Sequence, residues 1–493
     1  MDSTDDEREL IRRLTEENRQ QADQLRQQAE RIQQLEAELQ RLRELLEGKA
    51  GSKVAKKPVF KENYSLDRHA GRNAGRNAGR PRKRRGQQSM GRRPQEQKRE
   101  LVTSEFDIYH TGANPKRCIL HREQFAWRIV EGRAVYIGYR IYDLPDSKEL
   151  PLPPGLRTSR SEYGLEIILI LAFLHYWIGV SLDHAREVLG FFTKLELSKS
   201  QADSLLSQLA ADWDEQYDTI AELIALQMIV YIDETGWKVG AKSCYTWVFS
   251  TTMHVLYRCG VSRAKTEATA VLGESFAGIG VTDDYAAYKS LFSQHQLCWA
   301  HLIRKAIKLA LQHPDHREYA AFLDELCETY HQALRHQRDG RLSVGRADKA
   351  AELLARLRRL CTRHGERIVP DQTPPHAADF IRLQNELLDN PDCLFVFVEH
   401  PAVEATNNRS ERNARREAEI RKGARTSKTA GGATRRGVIL TVLASLATRF
   451  PRFTLDNLLS EVTRWWESGR SRFQQELAQI QQPNPPPPIP ATS

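Results

Sequence analysis

The sequence predicts an α/β core interrupted by a helical insertion and preceded by an N-terminal coiled coil and a helical region. Three observations carry this. Residues 7–47 repeat apolar positions in heptads without Gly or Pro. Residues 227–301 hold short β-branched runs broken by one helical stretch. Residues 302–395 read as charged helices set between two parts of that core. At 493 residues the chain is too long for one core and suggests about three domains.

Residues 1–48 form the first unit. Ile11, Asn18, Leu25, Ile32, Leu39 and Leu46 recur every seven residues, and Leu14, Gln21, Gln28, Leu35 and Leu42 form a second stripe. The pattern predicts a coiled-coil arm that pairs two chains, with Asn18 fixing register; because Gln21 and Gln28 weaken the seam, a solitary solvated helix is the alternative. Residues 49–100 are basic and Gly-rich and too poor in large apolar side chains to fold alone. Within them Arg80, Arg82, Lys83, Arg84 and Arg85 either belong to a solvated linker or neutralise DNA phosphates. The Gly79-Arg80-Pro81 core of this run resembles an AT-hook, which enters the minor groove.

Residues 101–154 predict a small β-rich unit with a hairpin turning at Glu131-Gly132. Residues 155–226 are helical. Ser181 and Ser198 are candidate N-caps, and 198–210 is a groove-helix candidate if this region is a helix-turn-helix DNA-binding domain; an ordinary bundle is the other reading. Next, 228–232 reads as a strand ending in Asp233. Residues 244–250 and 253–259 read as strands, 265–276 as a helix, 279–282 as a buried strand ending in Asp283-Asp284, and 296–299 as another strand. Three strands, a helix and a strand is the order of an RNase H-like core. Residues 302–395 then form the insertion, with a loop near 369–376. Residues 396–465 complete the core, Thr406 and Asn407 capping a helix that carries Glu411, and 466–493 form a tail with a Pro-rich end.

Composition narrows the functional classes. Hydrophobic residues at 40% permit a folded globular protein, and Lys plus Arg at 73 against 64 Asp plus Glu gives +9, a modest basic excess. Seven scattered cysteines do not form a disulfide framework. The acidic N-terminus does not look like a signal peptide, and the most apolar run, 167–180, is too short to span a membrane and is broken by His175. These features fit a soluble cytoplasmic protein with no membrane role. No Gly-rich P-loop is present, which argues against ATP-dependent phosphoryl transfer.

Asp233 and Asp283 each follow a buried strand, the place where α/β sheets present site residues. Two carboxylates at adjacent strand ends repel unless protonated or bridged by a cation, and oxygen ligands suit Mg²⁺ or Mn²⁺. A third carboxylate from a later helix completes a two-metal clamp able to activate a nucleophile and stabilise a leaving oxygen.

Four segments in order then carry a resemblance: Ile232-Asp233-Glu234-Thr235; Val281-Thr282-Asp283-Asp284-Tyr285-Ala286-Ala287-Tyr288; Cys298-Trp299-Ala300-His301; and Thr406-Asn407-Asn408-Arg409-Ser410-Glu411-Arg412-Asn413-Ala414-Arg415, followed by Arg421-Lys422. Over residues 161–450 the chain resembles the insertion sequence 66 family of bacterial transposases. The resemblance maps the family's catalytic, metal-binding triad onto Asp233, Asp283 and Glu411. Asp284 stands where the family usually has a small residue, so Asp283 and Asp284 compete for the second position, and Glu404 is a rival for the third. Cys298, His301, Asn407 and Asn408 are near-site supporting residues. Cys298 and His301 form half of a zinc site without an evident second half, and packing beside the site is the preferred reading. The zinc ribbon frequent in the family is incomplete, only Cys118 and His121 standing in its place, with His110 upstream. On the basic helix, Arg412, Arg415, Arg421 and Lys422 are candidate phosphate contacts.

The resemblance implies a DDE transposase that cleaves and transfers strands of a mobile element with Mg²⁺ or Mn²⁺. Its partners would be double-stranded DNA (element ends and target), a second copy of the chain or a higher oligomer, and small accessory proteins. Its place would be the bacterial cytoplasm, at the nucleoid. A non-catalytic DNA-binding or bridging protein derived from a transposase is the alternative, and a nuclease that cuts without joining is a third reading.

Overall fold

The computed structural model describes residues 94–481 apart from 111, 289, 290 and 424. The heptad arm, the segment with Arg80, Arg82, Lys83, Arg84 and Arg85, and the Pro-rich end lie outside the described residues.

Helix α1 (Gln95–Arg99) leads into β1 (Ser104–Tyr109), β2 (Ile119–Val130) and β3 (Arg133–Asp143), arranged β1-β3-β2. The expected hairpin is present. Glu131 (φ 49°) and Gly132 (φ 76°) occupy the two left-handed positions of a two-residue turn, whose twist matches that of the strands. Around this sheet Cys118 and His121 take separate partners: Cys118 Sγ donates to the Asn114 carbonyl (3.3 Å) and His121 Nε2 bonds to the Leu144 carbonyl oxygen (2.9 Å).

Helices α2 (Leu165–Ala172), α3 (Leu182–Thr193) and α4 (Lys199–Ala225) follow, with a π-helical turn, Phe173–Ile178, after α2. Ser181 caps α3, and Ser198 and Gln201 form a reciprocal capping box on α4. The groove-helix candidate at 198–210 is the start of this single 27-residue helix, and its apolar face, including Leu206, Leu209 and Trp213, is buried in the main core.

The second sheet contains β4 (Ile229–Val239), β5 (Lys242–Ser250), β6 (Val255–Val261), β7 (Phe276–Thr282) and β8 (Phe292–Leu297) in the order β6-β5-β4-β7-β8. β4, β5 and β6 form an antiparallel meander. Helix α5 (Thr266–Leu272) crosses to β7, and β7 and β8 run parallel to β4. Both faces are covered, and side-chain alternation separates them: Val230 and Ile232 enter one core and Tyr231 the other. Several boundaries differ from expectation, three of them as follows. β4 runs on past Asp233 to Val239 because its hairpin with β5 continues after its pairing with β7 has stopped at Tyr231. The helix expected to reach 276 ends at Leu272, before Gly273 at φ 82°. The last strand lies earlier than 296–299, and Trp299 opens a helix.

On the Tyr231 side lie α6 (Trp299–Gln312), α7 (Arg317–Arg338), α8 (Arg346–Leu360), α9 (Pro375–Asp389) and the short α10 (Val396–Glu399), which build the second core with β7 and β8. The chain then returns through α11 (Asn408–Lys422) and α12 (Ala430–Ala447) to the first core, followed by α13 (Leu455–Ser468) and α14 (Arg472–Gln481). α12 lies close on β6: a Cβ at Gly437 would stand 2.7 Å from the Tyr257 carbonyl oxygen. The Thr441 and Ser445 hydroxyls there accept the Tyr257 and Val255 N–H groups (2.9 and 3.0 Å). Residues 472–481, expected in a tail, instead form a docked helix. Phe473 is fully buried, and Glu476 binds Arg449 and His254. Among the described residues no helix is long and apolar enough to cross a membrane.

Candidate functional site

β4 and β7 are neighbouring parallel strands whose last aligned pair is Tyr231 with Val281. Asp233 and Asp283 each lie two residues beyond that pair, so equal spacing brings both to the carboxyl edge of the parallel strands, which lie about 4.8 Å apart. Asp233 is therefore within its strand, not after it, at the point where β7 has ended beside it. Burial, then Glu234, Asp283 and Glu411, push the Asp233 carboxyl up to about 8. All three sequence-predicted carboxylates thus share one electrostatic neighbourhood. Asp283 Oδ1 also accepts the Tyr285 N–H (3.1 Å).

Glu411 arrives from α11, and a set of side-chain to backbone bonds fixes that helix. Asn407, expected as a side-chain cap, uses its Nδ2 elsewhere, donating to the carbonyl of Ile232 (2.6 Å), the residue before Asp233. Its own N–H donates to Cys298 Sγ (3.2 Å). Ser410 Oγ donates to the Val248 carbonyl (2.9 Å), and Asn413 Nδ2 to Ser250 Oγ (3.1 Å). One face of α11 is therefore tied to β4 and β5 and to the start of α6. Cys298 and His301, one turn apart at that start, both face Glu411. Cys298 Sγ and His301 Nδ1 are each 3.5 Å from Glu411 Oε1. Arg304 Nη2 is 3.4 Å from Oε2. Burial pushes the Cys298 thiol up to about 11. Asn408 is exposed at the first position of α11.

Glu234 was not singled out by its sequence. It is buried beside Asp233, its carboxylate bound by Arg263 (2.6 and 2.9 Å) and by the Tyr288 hydroxyl. Arg263 is stacked 3.9 Å over Tyr285. The two tyrosines of the Asp283 segment thus hold the Glu234 and Arg263 pair. The only sequence signal was that Glu234 adjoins Asp233. Glu404, the rival third carboxylate, is bound by Arg409, whose guanidinium also lies 5.3 Å from the Tyr231 ring centre.

The basic residues of α11 divide. Arg412 and Arg415 are exposed and line a depression with Trp177, Ile178, Arg416 and Arg425. Arg416 stacks 3.5 Å over Trp177, and Arg425 Nη1 donates to the Gly179 carbonyl (2.6 Å). Arg421 Nη1 donates to the Gly236 carbonyl (2.8 Å), so it also braces β4, whereas Lys422 is exposed.

The exposed arginine face on the helix that carries Glu411 suits a polyanion. A search of curated proteins found no match. A family model described as "Transposase IS66 family" matches residues 160–435, more than half of the chain and a span that includes Asp233, Asp283 and Glu411. This chain belongs to the IS66 family of transposases, and its role is that of a DNA-acting protein of a mobile element.

Proposed function

We propose that this protein is a DDE transposase with an RNase H-like core, cleaving the ends of its element and joining them to target DNA. The observation that carries the reading is the register of β4 and β7, in which Asp233 and Asp283 each follow the pair Tyr231–Val281 by two residues, while Asn407 ties the start of the Glu411 helix to Ile232. The meander followed by two parallel strands is the topology expected of such a core. In this reading 227–301 and 396–465 are its two parts and 302–395 the insertion.

The donor chemistry, three carboxylates, is the kind that suits a divalent cation. Asp233 is half-buried among like charges and accepts the Glu234 N–H (2.9 Å), with Arg263 drawn off by Glu234. Asp233, Asp283 and Glu411 would hold Mg²⁺ or Mn²⁺, which when bound supplies activation of water or a 3′-hydroxyl and charge stabilisation at the leaving oxygen. Asn407, Ser410 and Asn413 keep Glu411 in place. Arg412, Arg415 and Lys422 position the DNA backbone, and Arg421 braces β4 behind them. Arg80, Arg82, Lys83, Arg84 and Arg85 would add sequence-independent affinity, and the heptad arm would pair two chains so that two ends are held together.

The test is incubation of the full chain with linear DNA carrying its element's ends, with and without Mg²⁺ or Mn²⁺, alongside Asp233→Ala and Glu411→Ala and with neighbouring gene products added. Metal-dependent nicking or joining that both substitutions abolish is expected. DNA binding without cleavage under every condition would overturn the catalytic reading in favour of a bridging protein.

A further inference from the structure

Cys298-Trp299-Ala300-His301 supplies two metal-ligand types on one face of a helix start, but only half of a zinc site by sequence. The fold brings a third ligand type to them. Cys298 Sγ, His301 Nδ1 and one Glu411 carboxylate oxygen all lie within 4.8 Å of one another, the one such group of three His, Cys, Asp or Glu ligands among the described residues. Two of the separations are 3.5 Å. Tetrahedral zinc with ordinary Zn–S, Zn–N and Zn–O lengths requires ligand atoms about 3.4–3.6 Å apart. His301 Nδ1 is buried and makes no hydrogen bond, an orphaned lone pair or N–H beside a carboxylate and a sulfur. Each ligand is also held in position. Cys298 Sγ accepts the Asn407 N–H, and the Cys298 N–H donates to the Thr282 carbonyl (2.8 Å).

We propose that Cys298 Sγ, His301 Nδ1 and Glu411 Oε1 form a three-ligand site for a borderline divalent cation, Zn²⁺ in particular, with a fourth position open. A thiolate and an imidazole select zinc over magnesium, whereas the neighbouring Asp233 and Asp283 corner offers only oxygen. Binding displaces the Cys298 thiol proton to solvent and leaves a neutral imidazole on the metal. Resting on the catalytic reading above, the two corners share Glu411. Zinc on this site therefore draws Glu411 Oε1 away from the oxygen-only set and opposes magnesium there.

The test is titration of the full-length chain with Co²⁺ in the absence of DNA, followed optically, and then with Zn²⁺ as competitor. Expected are a thiolate-to-cobalt charge-transfer band and tetrahedral d–d bands, bleached by one equivalent of Zn²⁺ and indifferent to excess Mg²⁺. Cys298→Ser removes the charge-transfer band, Cys118→Ser keeps it, and His301→Ala weakens Zn²⁺ binding at least about tenfold. Should Cys298→Ser fail to fold, His301→Ala carries the test, since that side chain is one-third exposed. A band that survives Cys298→Ser in folded protein, or no band in the folded wild-type chain, overturns the proposal. Because no DNA is present, a chain that binds Co²⁺ in this way yet never cleaves DNA would sink the catalytic reading alone.

Discussion

Glu411 and Glu417 lie on the same helix, fewer than two turns apart, and the protein treats them in opposite ways. Glu417 is fully buried and gripped in a fork by Arg436 (2.7 and 2.8 Å), itself only 5% exposed and stacked 4.8 Å over Trp237. Glu411 is 15% exposed, and the Arg304 guanidinium beside it is 3.4 Å away on a largely exposed side chain. A carboxylate whose task is to hold the helix receives two charge-assisted hydrogen bonds and has little acceptor capacity left. Glu411, whose contacts from Cys298 Sγ (3.5 Å) and Arg304 Nη2 (3.4 Å) are long, keeps more acceptor capacity, which the proposed role as a cation ligand requires. Two glutamates on one helix thus receive different partners from the fold, a buried fork for Glu417 and long, partly exposed contacts for Glu411, which is the division of roles that the proposed function needs.

The sharpest way to break this comparison is Glu411→Ala. If the division of roles holds, metal-dependent DNA cleavage falls on the order of a thousandfold, while urea unfolding shows stability within about 1 kcal/mol of the parent. Glu417→Ala should do the reverse, costing about 3–5 kcal/mol in the same unfolding experiment because Arg436 is left buried and unpaired. A neutral Glu417→Ala would remove the contrast. A third measurement sharpens the charge argument. The folded-state pKa of Asp233 is raised to about 8, so the folded protein binds a proton that the unfolded chain has lost. The stability associated with that proton is complete below about pH 4 and disappears as pH rises towards 8. Metal-free protein should therefore melt progressively lower across that window, and Asp233→Asn should flatten the slope. The smallest effect belongs to the outer face of α11. Replacing Arg412 and Arg415 together with Ala should weaken DNA binding across sequences and reduce the slope of log affinity against log salt by roughly one per lost phosphate contact, with melting unchanged.

Much of this architecture was legible from local pattern. The Glu131-Gly132 hairpin, the Ser181 and Ser198 caps, and the alternation of strands and helices after residue 227 depend on near neighbours, and near neighbours are what a sequence displays. Asp233 and Asp283 were found because each closes a short β-branched run. The extension of β4 to Val239 was missed because polar residues from Asp233 onward carry no apolar alternation; the strand is held there by pairing with β5. The docking of α14 was hidden for a similar reason, since Phe473 and Glu476 acquire meaning only against His254 and Arg449.

The α/β order of elements, the acidic residues that close the β-branched runs and the basic helix could be read from sequence, because periodicity and residue chemistry are local properties. Tertiary structure alone decided that Asn407 holds Ile232 instead of capping its helix, that Glu234 is bound by Arg263 and Tyr288, and that Cys298 and His301 face Glu411. Each of these joins residues that are distant in the chain. Such contacts depend on strand register and helix docking, and these are set by how the two cores bury their side chains on opposite faces of one sheet.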